Sequence, residues 1–319
     1  MEVVSFMKKR KLKKEPFILL GIILFCFLAL LLIFALFKHY TSYEYKLGKI
    51  GYDDAEIAYI VKLDKKYIDY ALKKYDRFLI PLTKQKYLIW SKYDDYLAYI
   101  KKTYKSNSIN YKDVIAKVNT KTNYDFYTHT LETDMDKGYG ILVNKYYYLP
   151  DKYEPKDIVS MSNSYAYPNN SIKEKVYEAF KEMSKKAKED GITLIVNSSY
   201  RDYNSQKRIY EQYEDKKGQK YADSVAARPN FSEHQTGLAL DIFTPGAGMK
   251  NFEGTDAFKW LSKNAYKYGF ILRYPKDKES ITGYDYEAWH YRYLGKDLAT
   301  KVFNSGLTFD EYYAYYLDK

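Results

Sequence analysis

Two short stretches in the second half of the chain carry the residues that could do chemistry. Ser232-Glu-His-Gln-Thr-Gly-Leu-Ala-Leu-Asp241 sets His234 and Asp241 seven positions apart, across a glycine and into an apolar run. Further on, Glu287-Ala-Trp-His290 supplies a second histidine with a carboxylate three positions before it. Two imidazoles and one carboxylate suit a zinc ion that keeps a fourth position open, as catalytic zinc does. The remaining Glu287 is the base that a metal-activated water needs. The spacing therefore points to a zinc peptidase.

Each residue also has a plainer reading. A lone histidine is more often packed or exposed than a ligand. His234 and His290 gain weight together, because each falls in a strongly polar motif beside a carboxylate. Asp241 could be a strand-edge carboxylate, but in Leu-Ala-Leu-Asp-Ile an unpaired charge would be costly to bury, and a metal would remove that cost. Glu287 and His290 stand at i and i+3, which a regular strand sends to opposite faces. An irregularity near Ala288 is required if both serve one site. Arg201, at the end of Asn197-Ser-Ser-Tyr-Arg201, is placed to stabilise an oxyanion, although a surface salt bridge is arginine's usual fate. Gln206 and Ser232 could hold a peptide or its terminal carboxylate, against ordinary roles as helix surface and turn cap.

Other chemistries are excluded. The Ser-x-x-Lys pattern occurs once, at Ser5–Lys8, before an apolar span, and Ser-Asp-Asn, Lys-Thr-Gly and Gly-x-Ser-x-Gly are all missing, so serine catalysis is out. His-Glu-x-x-His is missing too, which excludes the thermolysin-like arrangement. The single cysteine, Cys26, lies inside the apolar run, so no disulfide or cysteine metal site can form within the chain. The net charge of +11 comes from lysines scattered through helical patterns, without an arginine-rich patch or nucleic-acid motif, so no nucleic-acid partner is expected.

The elements that must position these residues follow from the patterning. Residues 1–16 form a basic tail. Phe17 to Phe37 is uncharged throughout and spans a bilayer as a helix. The basic cluster before it predicts a single-pass signal anchor with a cytoplasmic N-terminus and an external remainder. Residues 38–137 read as a helical extracytoplasmic spacer without chemistry of its own. Residues 138–319 form the domain that carries the motifs. There Ile141–Lys145 reads as a buried strand. Ser171–Asp190 reads as a helix opened by a Ser171/Glu174 capping box, with Ile192–Val196 as the next strand. Leu238–Ile242 alternates so that Asp241 faces away from Leu238, Leu240 and Ile242. Phe270–Leu272 and Tyr286–Tyr293 complete an α+β fold with a small, mainly antiparallel sheet and flanking helices.

Taken together, Ser199-Tyr-Arg201 with Gln206, Ser232 to Asp241, Gly269-Phe-Ile-Leu-Arg-Tyr-Pro275 and Tyr286-Glu-Ala-Trp-His-Tyr-Arg-Tyr293 resemble the VanY-type D-alanyl-D-alanine carboxypeptidases. These are M15 zinc peptidases sharing a fold with the hedgehog signalling domain. The similarity covers roughly 139–305, including Leu142-Val-Asn-Lys145, and leaves out the helical spacer. It implies zinc held by His234, Asp241 and His290, with Glu287 as base. It also implies Arg201 on the substrate carbonyl, and Gln206 and Ser232 lining the substrate pocket. The implied partners are peptidoglycan stem peptides outside the membrane, losing their terminal D-alanine. Relatives often place proline where this chain has Ala288, a departure that touches no ligand. An L,D-carboxypeptidase trimming tetrapeptide stems is the nearest rival, a dipeptidase a weaker one. An inactive anchored wall-binding protein is the rival from another class.

Overall fold

A computed structural model describes residues 15–105 and 108–318. The basic run Lys8–Lys14 and the Ser5–Lys8 match lie outside the described residues. The first helix runs Glu15–Thr41 and is long and apolar enough to cross a membrane. At 27 residues it is about 40 Å long, and Leu19 to Phe37 present large apolar side chains outward.

The chain separates into two compact units, residues 1–86 and 87–319. In the first, four short helices follow the long one: Tyr43–Ile50, Asp54–Ile60, Lys65–Ala71 and Leu79–Thr83. They bury Leu47, Ile57, Ile60, Ile68, Leu79 and Leu82. The second of them opens on a capping box between Asp53 and Glu56.

The second unit begins earlier than the composition boundary at 137/138. Helices Tyr93–Thr103 and Tyr111–Asn119 belong to it. Tyr87 stacks on Tyr315 with ring centroids 4.0 Å apart, Asn119 Nδ2 donates to Tyr87 O, and Tyr146 OH donates to Tyr124 O. Contacts between residues so distant in sequence leave no mark on local composition.

The strands are β1 (Leu131–Glu132), β2 (Tyr147–Tyr148), β3 (Ile158–Ser160), β4 (Ser171–Lys173), β5 (Ile195–Ser198), β6 (Ala239–Phe243), β7 (Phe270–Tyr274) and β8 (Glu287–Tyr293). The first two pair in parallel and β3 with β4 antiparallel; the main sheet, ordered β5-β6-β8-β7, is antiparallel throughout. One face of that sheet meets helix Glu174–Glu189, whose Val176, Phe180, Met183 and Ala187 share a core with Val196, Leu240, Ile242, Phe270 and Tyr291. Because strand side chains alternate, the pairings Asp241↔His290, Ala239↔Arg292 and Ile271↔Arg292 put Asp241, His290 and Arg292 on the other face, with Arg273 two residues along from Ile271.

Three local expectations are corrected. Ser171–Lys173 is strand, paired with Ile158–Ser160, so helix Glu174–Glu189 has Lys173 as its N-cap and lacks the Ser171/Glu174 capping box. Ile141–Val143 is buried but outside any strand, and the Ile141 carbonyl accepts from Arg292 Nη2 (2.8 Å) instead of a neighbouring strand. The strand expected at Ile192–Val196 is shifted to Ile195–Ser198.

Gly237 joins the turn bearing His234 to β6. Its φ is +68°, and a Cβ there would lie 2.9 Å from Ile158 Cδ1 and 3.2 Å from Lys173 Cγ. Gly237→Ala is therefore expected to lower stability by about 1–3 kcal/mol. Thermal unfolding followed by circular dichroism checks this, and an unchanged midpoint would contradict the close approach.

Candidate active site

His234 sits in a single 3-10 turn, Glu233–Thr236, directly before β6. Its Nδ1 lies 2.6 Å from the Ser199 carbonyl oxygen. A carbonyl can only accept, so Nδ1 carries the proton and Nε2 keeps its lone pair. That Nε2 is 3.5 Å from Asp241 Oδ1. From β8, His290 points Nδ1 at the same oxygen, at 3.4 Å, and at Glu287 Oε2, also at 3.4 Å. Its Nε2 lies 3.2 Å from Glu233 Oε2.

The backbone supplies the required irregularity. Leu272 pairs with Tyr291 and Tyr274 with Glu287, so two steps along β7 oppose four along β8. This slippage between 287 and 291 lets Glu287 and His290 approach one another despite their odd spacing.

The residues present fit a zinc ion. Ligand atoms of His234, Asp241 and His290 lie within 4.8 Å of one another, and all three residues are buried. Asp241 Oδ1 is buried without a hydrogen-bond partner while facing both imidazoles. Ligands about 2.0–2.2 Å from a tetrahedral ion stand about 3.3–3.6 Å apart, which the two carboxylate–imidazole separations match.

Electrostatics agree. Burial, aided by Arg201, pulls His234 down to about 4, so the ring is neutral. Burial would raise the Asp241 carboxyl, but His234 and His290 outweigh it and hold it well below the usual carboxylate range. Burial opposes charge on His290 as well, yet Asp241, Glu233 and Glu287 bring it up to about 9. A cation binding here must displace that proton, since imidazole ligates in its neutral form. Glu287 is pushed up to about 7, mainly by burial, with Asp241 adding and His290 and Arg201 opposing.

All seven candidate residues line one cleft of about 630 Å³. Arg201 is anchored by its backbone N–H to the His234 carbonyl (3.2 Å), and its Nη1 donates to Gln206 Oε1 (2.9 Å). Gln206, almost fully buried, donates in turn to the Ala227 carbonyl (2.7 Å). Both ends of its amide are therefore engaged within the protein, the oxygen by Arg201 and the nitrogen by the Ala227 carbonyl. Ser232 is buried in the cleft wall next to Glu233.

Sequence reasoning missed a buried charge network behind His290. Glu233 Oε1 accepts from Arg273 Nε (2.7 Å) and Arg292 Nη1 (2.8 Å). Arg273 also grips Asp310 through Nη1 (2.5 Å) and Nη2 (3.1 Å), and Asn144 donates to Asp310 (2.8 Å). Burial would raise the Glu233 carboxyl, but Arg273 and Arg292 prevail and hold it far below the ordinary range. An ionised Glu233 fixes the His290 ring with Nδ1 toward the cleft, the carboxylate–histidine support typical of metal sites. The available signal was arginine at Arg273 and Arg292 inside apolar strands, where an unpaired charge is rare.

A family model described as VanY, D-alanyl-D-alanine carboxypeptidase, matches residues 169–296. The chain is 43% identical over 182 residues to YodJ of Bacillus subtilis (strain 168), covering 54% of this chain and 66% of that protein. It is 36% identical over 137 residues to the bifunctional D-Ala-D-Ala dipeptidase and D-Ala-D-Ala carboxypeptidase VanXYC of Enterococcus gallinarum, covering 40% of this chain and 68% of that protein. The chain belongs to the VanY family. The solved LdcB LD-carboxypeptidase is similar to this chain at a TM-score of 0.55 and 39% identity, covering 59% of this chain and 91% of its own. The chain spans just under two thirds of the length of the first curated relatives it matches: 66%, 64% and 60%. The α+β expectation, with its small antiparallel sheet, agrees with these relationships.

Proposed function

We propose that the protein is a membrane-anchored zinc D,D-carboxypeptidase that removes the terminal D-alanine of peptidoglycan stem peptides. The observation that carries this reading is the convergence of His234, Asp241 and His290 with Glu287 and Arg201 in one cleft. Bound there, zinc would acidify a water and polarise the scissile carbonyl. Glu287, whose carboxyl burial raises, would accept a proton from the attacking water and return it to the leaving amine. Arg201, aimed by Gln206, takes up negative charge on the carbonyl oxygen. Ser232 contributes a polar wall for the substrate. The uncharged helix through Phe17–Phe37, after the basic run Lys8–Lys14, serves as a single-pass anchor with the N-terminus cytoplasmic and the cleft external.

A second reading, L,D-carboxypeptidase action on tetrapeptide stems, is favoured by the similarity to LdcB. The two are separated by incubating the zinc-loaded protein with pentapeptide and tetrapeptide stems and weighing the products. Loss of one alanine from the pentapeptide, with the tetrapeptide intact, is the expected result. Trimming of the tetrapeptide alone replaces the proposal with the L,D reading. No product from either with the zinc-loaded protein favours an inactive wall-binding protein.

A further inference from the structure

Lys145 is fully buried, although lysine is almost never so. Among the described residues, no carboxylate is bonded to it. Its Nζ donates to two main-chain carbonyls, those of Asp223 and Gly283, and lies over the rings of Phe126 (3.9 Å) and Tyr284 (4.3 Å). Burying an ammonium costs several kcal/mol, so its contacts must recover that cost, and cation–π attraction in a desolvated place contributes. Burial pulls the ammonium down to about 7, against the attraction of Asp223, Asp285 and Glu287 and with the repulsion of Arg228.

The two carbonyls belong to segments that supply different lining residues of the cleft, Val225–Ala227 after Asp223 and Tyr284–Glu287 after Gly283. Gly283 leads through Tyr284 and Asp285 into Glu287, the proposed base. Asp223 lies in helix Gln219–Val225, which leads to Ala227, the carbonyl that holds Gln206 and through it Arg201. The Gly283 backbone runs close along the lysine stem, since a Cβ there would lie 3.3 Å from Phe126 and 3.4 Å from Lys145 Cδ. Ala227 and Tyr284 also share a small apolar cluster with Tyr274. We propose that Lys145 is a positioning residue that sets the spacing between Glu287 and Arg201 by tying the Gly283 and Asp223 carbonyls to one buried ammonium.

This inference rests on the proposed hydrolysis for its kinetic arm but not for its structural one. Lys145→Met keeps the volume and removes the charge. In the full-length, zinc-loaded protein, kcat on a stem peptide should fall about 10–100-fold, with KM within threefold and zinc still stoichiometric. Amide hydrogen exchange should quicken in 219–227 and 279–287 while β5 and β6 stay protected. Lys145→Arg, which keeps a cation with several donors, should recover much of the lost kcat. Unchanged exchange in both segments, or exchange quickened through the whole unit, would overturn the proposal whether or not the protein hydrolyses stem peptides. Equal kcat values for Lys145→Met and wild type would overturn it as well. If the wild type lacks turnover, the proposed hydrolysis fails and the exchange pattern alone decides the role of Lys145.

Discussion

Glu287→Gln is expected to lower kcat on stem peptides by about 10²–10⁴-fold while leaving zinc content at one per chain. The amide keeps the shape of the side chain but cannot accept a proton. The ion would remain, because the three donors His234, Asp241 and His290 are untouched. The same residue sets the acid limb of the pH profile. Burial raises its carboxyl to about 7, and a protonated carboxyl cannot act as base, so kcat/KM should climb as pH rises toward neutrality. A bound cation opposes the upward shift, so the limb should fall at or below 7 in the zinc-loaded protein. A variant with wild-type kcat, or one that loses its zinc, would remove Glu287 from the role of base.

The largest expected loss of stability comes from Arg273→Met. Arg273 bonds Glu233 and Asp310 at once, and all three side chains are essentially inaccessible to water. Removing it strips Asp310 of its cation and leaves Glu233 with Arg292. Breaking a buried charge pair from one side costs about 3–5 kcal/mol, and urea unfolding should register it. Removing the charge of Lys259, whose pairing with Asp256 is exposed, should cost less than about 1 kcal/mol. Comparable midpoints for the two variants would mean that the network behind His290 is not a unit of stability.

These two positions differ in how far the sequence disclosed them. Glu287 was legible because its chemistry lies in a motif with His290. His234 and Asp241 share a second motif, and the two motifs together carry the whole ligand set. Arg273 stood in Phe-Ile-Leu-Arg-Tyr, and nothing local says that its partners are Glu233, 40 residues before it, and Asp310, 37 residues after it. Ser171 misled for the opposite cause. Ser-x-x-Glu is a sound local signature for a helix start, but pairing with Ile158–Ser160 claimed Ser171 for a strand. Ile141–Val143 looked like a strand because it is apolar and buried; its carbonyl serves a guanidinium that sequence reading could not bring near. The capping box that Thr308 and Glu311 do form is the contrasting case, because both halves of that interaction are local.

The slippage in β8 has an evolutionary consequence. Glu287 reaches the cleft through a backbone irregularity, whereas His234 and Asp241 reach it from another turn and strand altogether. A change that merely restores regular pairing between β7 and β8 would rotate Glu287 out of reach. His234 and Asp241 would keep their own supports, and His290 its pairing with Asp241 across β6 and β8. Hydrolysis and ion retention are in this sense separate heritable traits, and a lineage could shed the first while its descendants still carry the second.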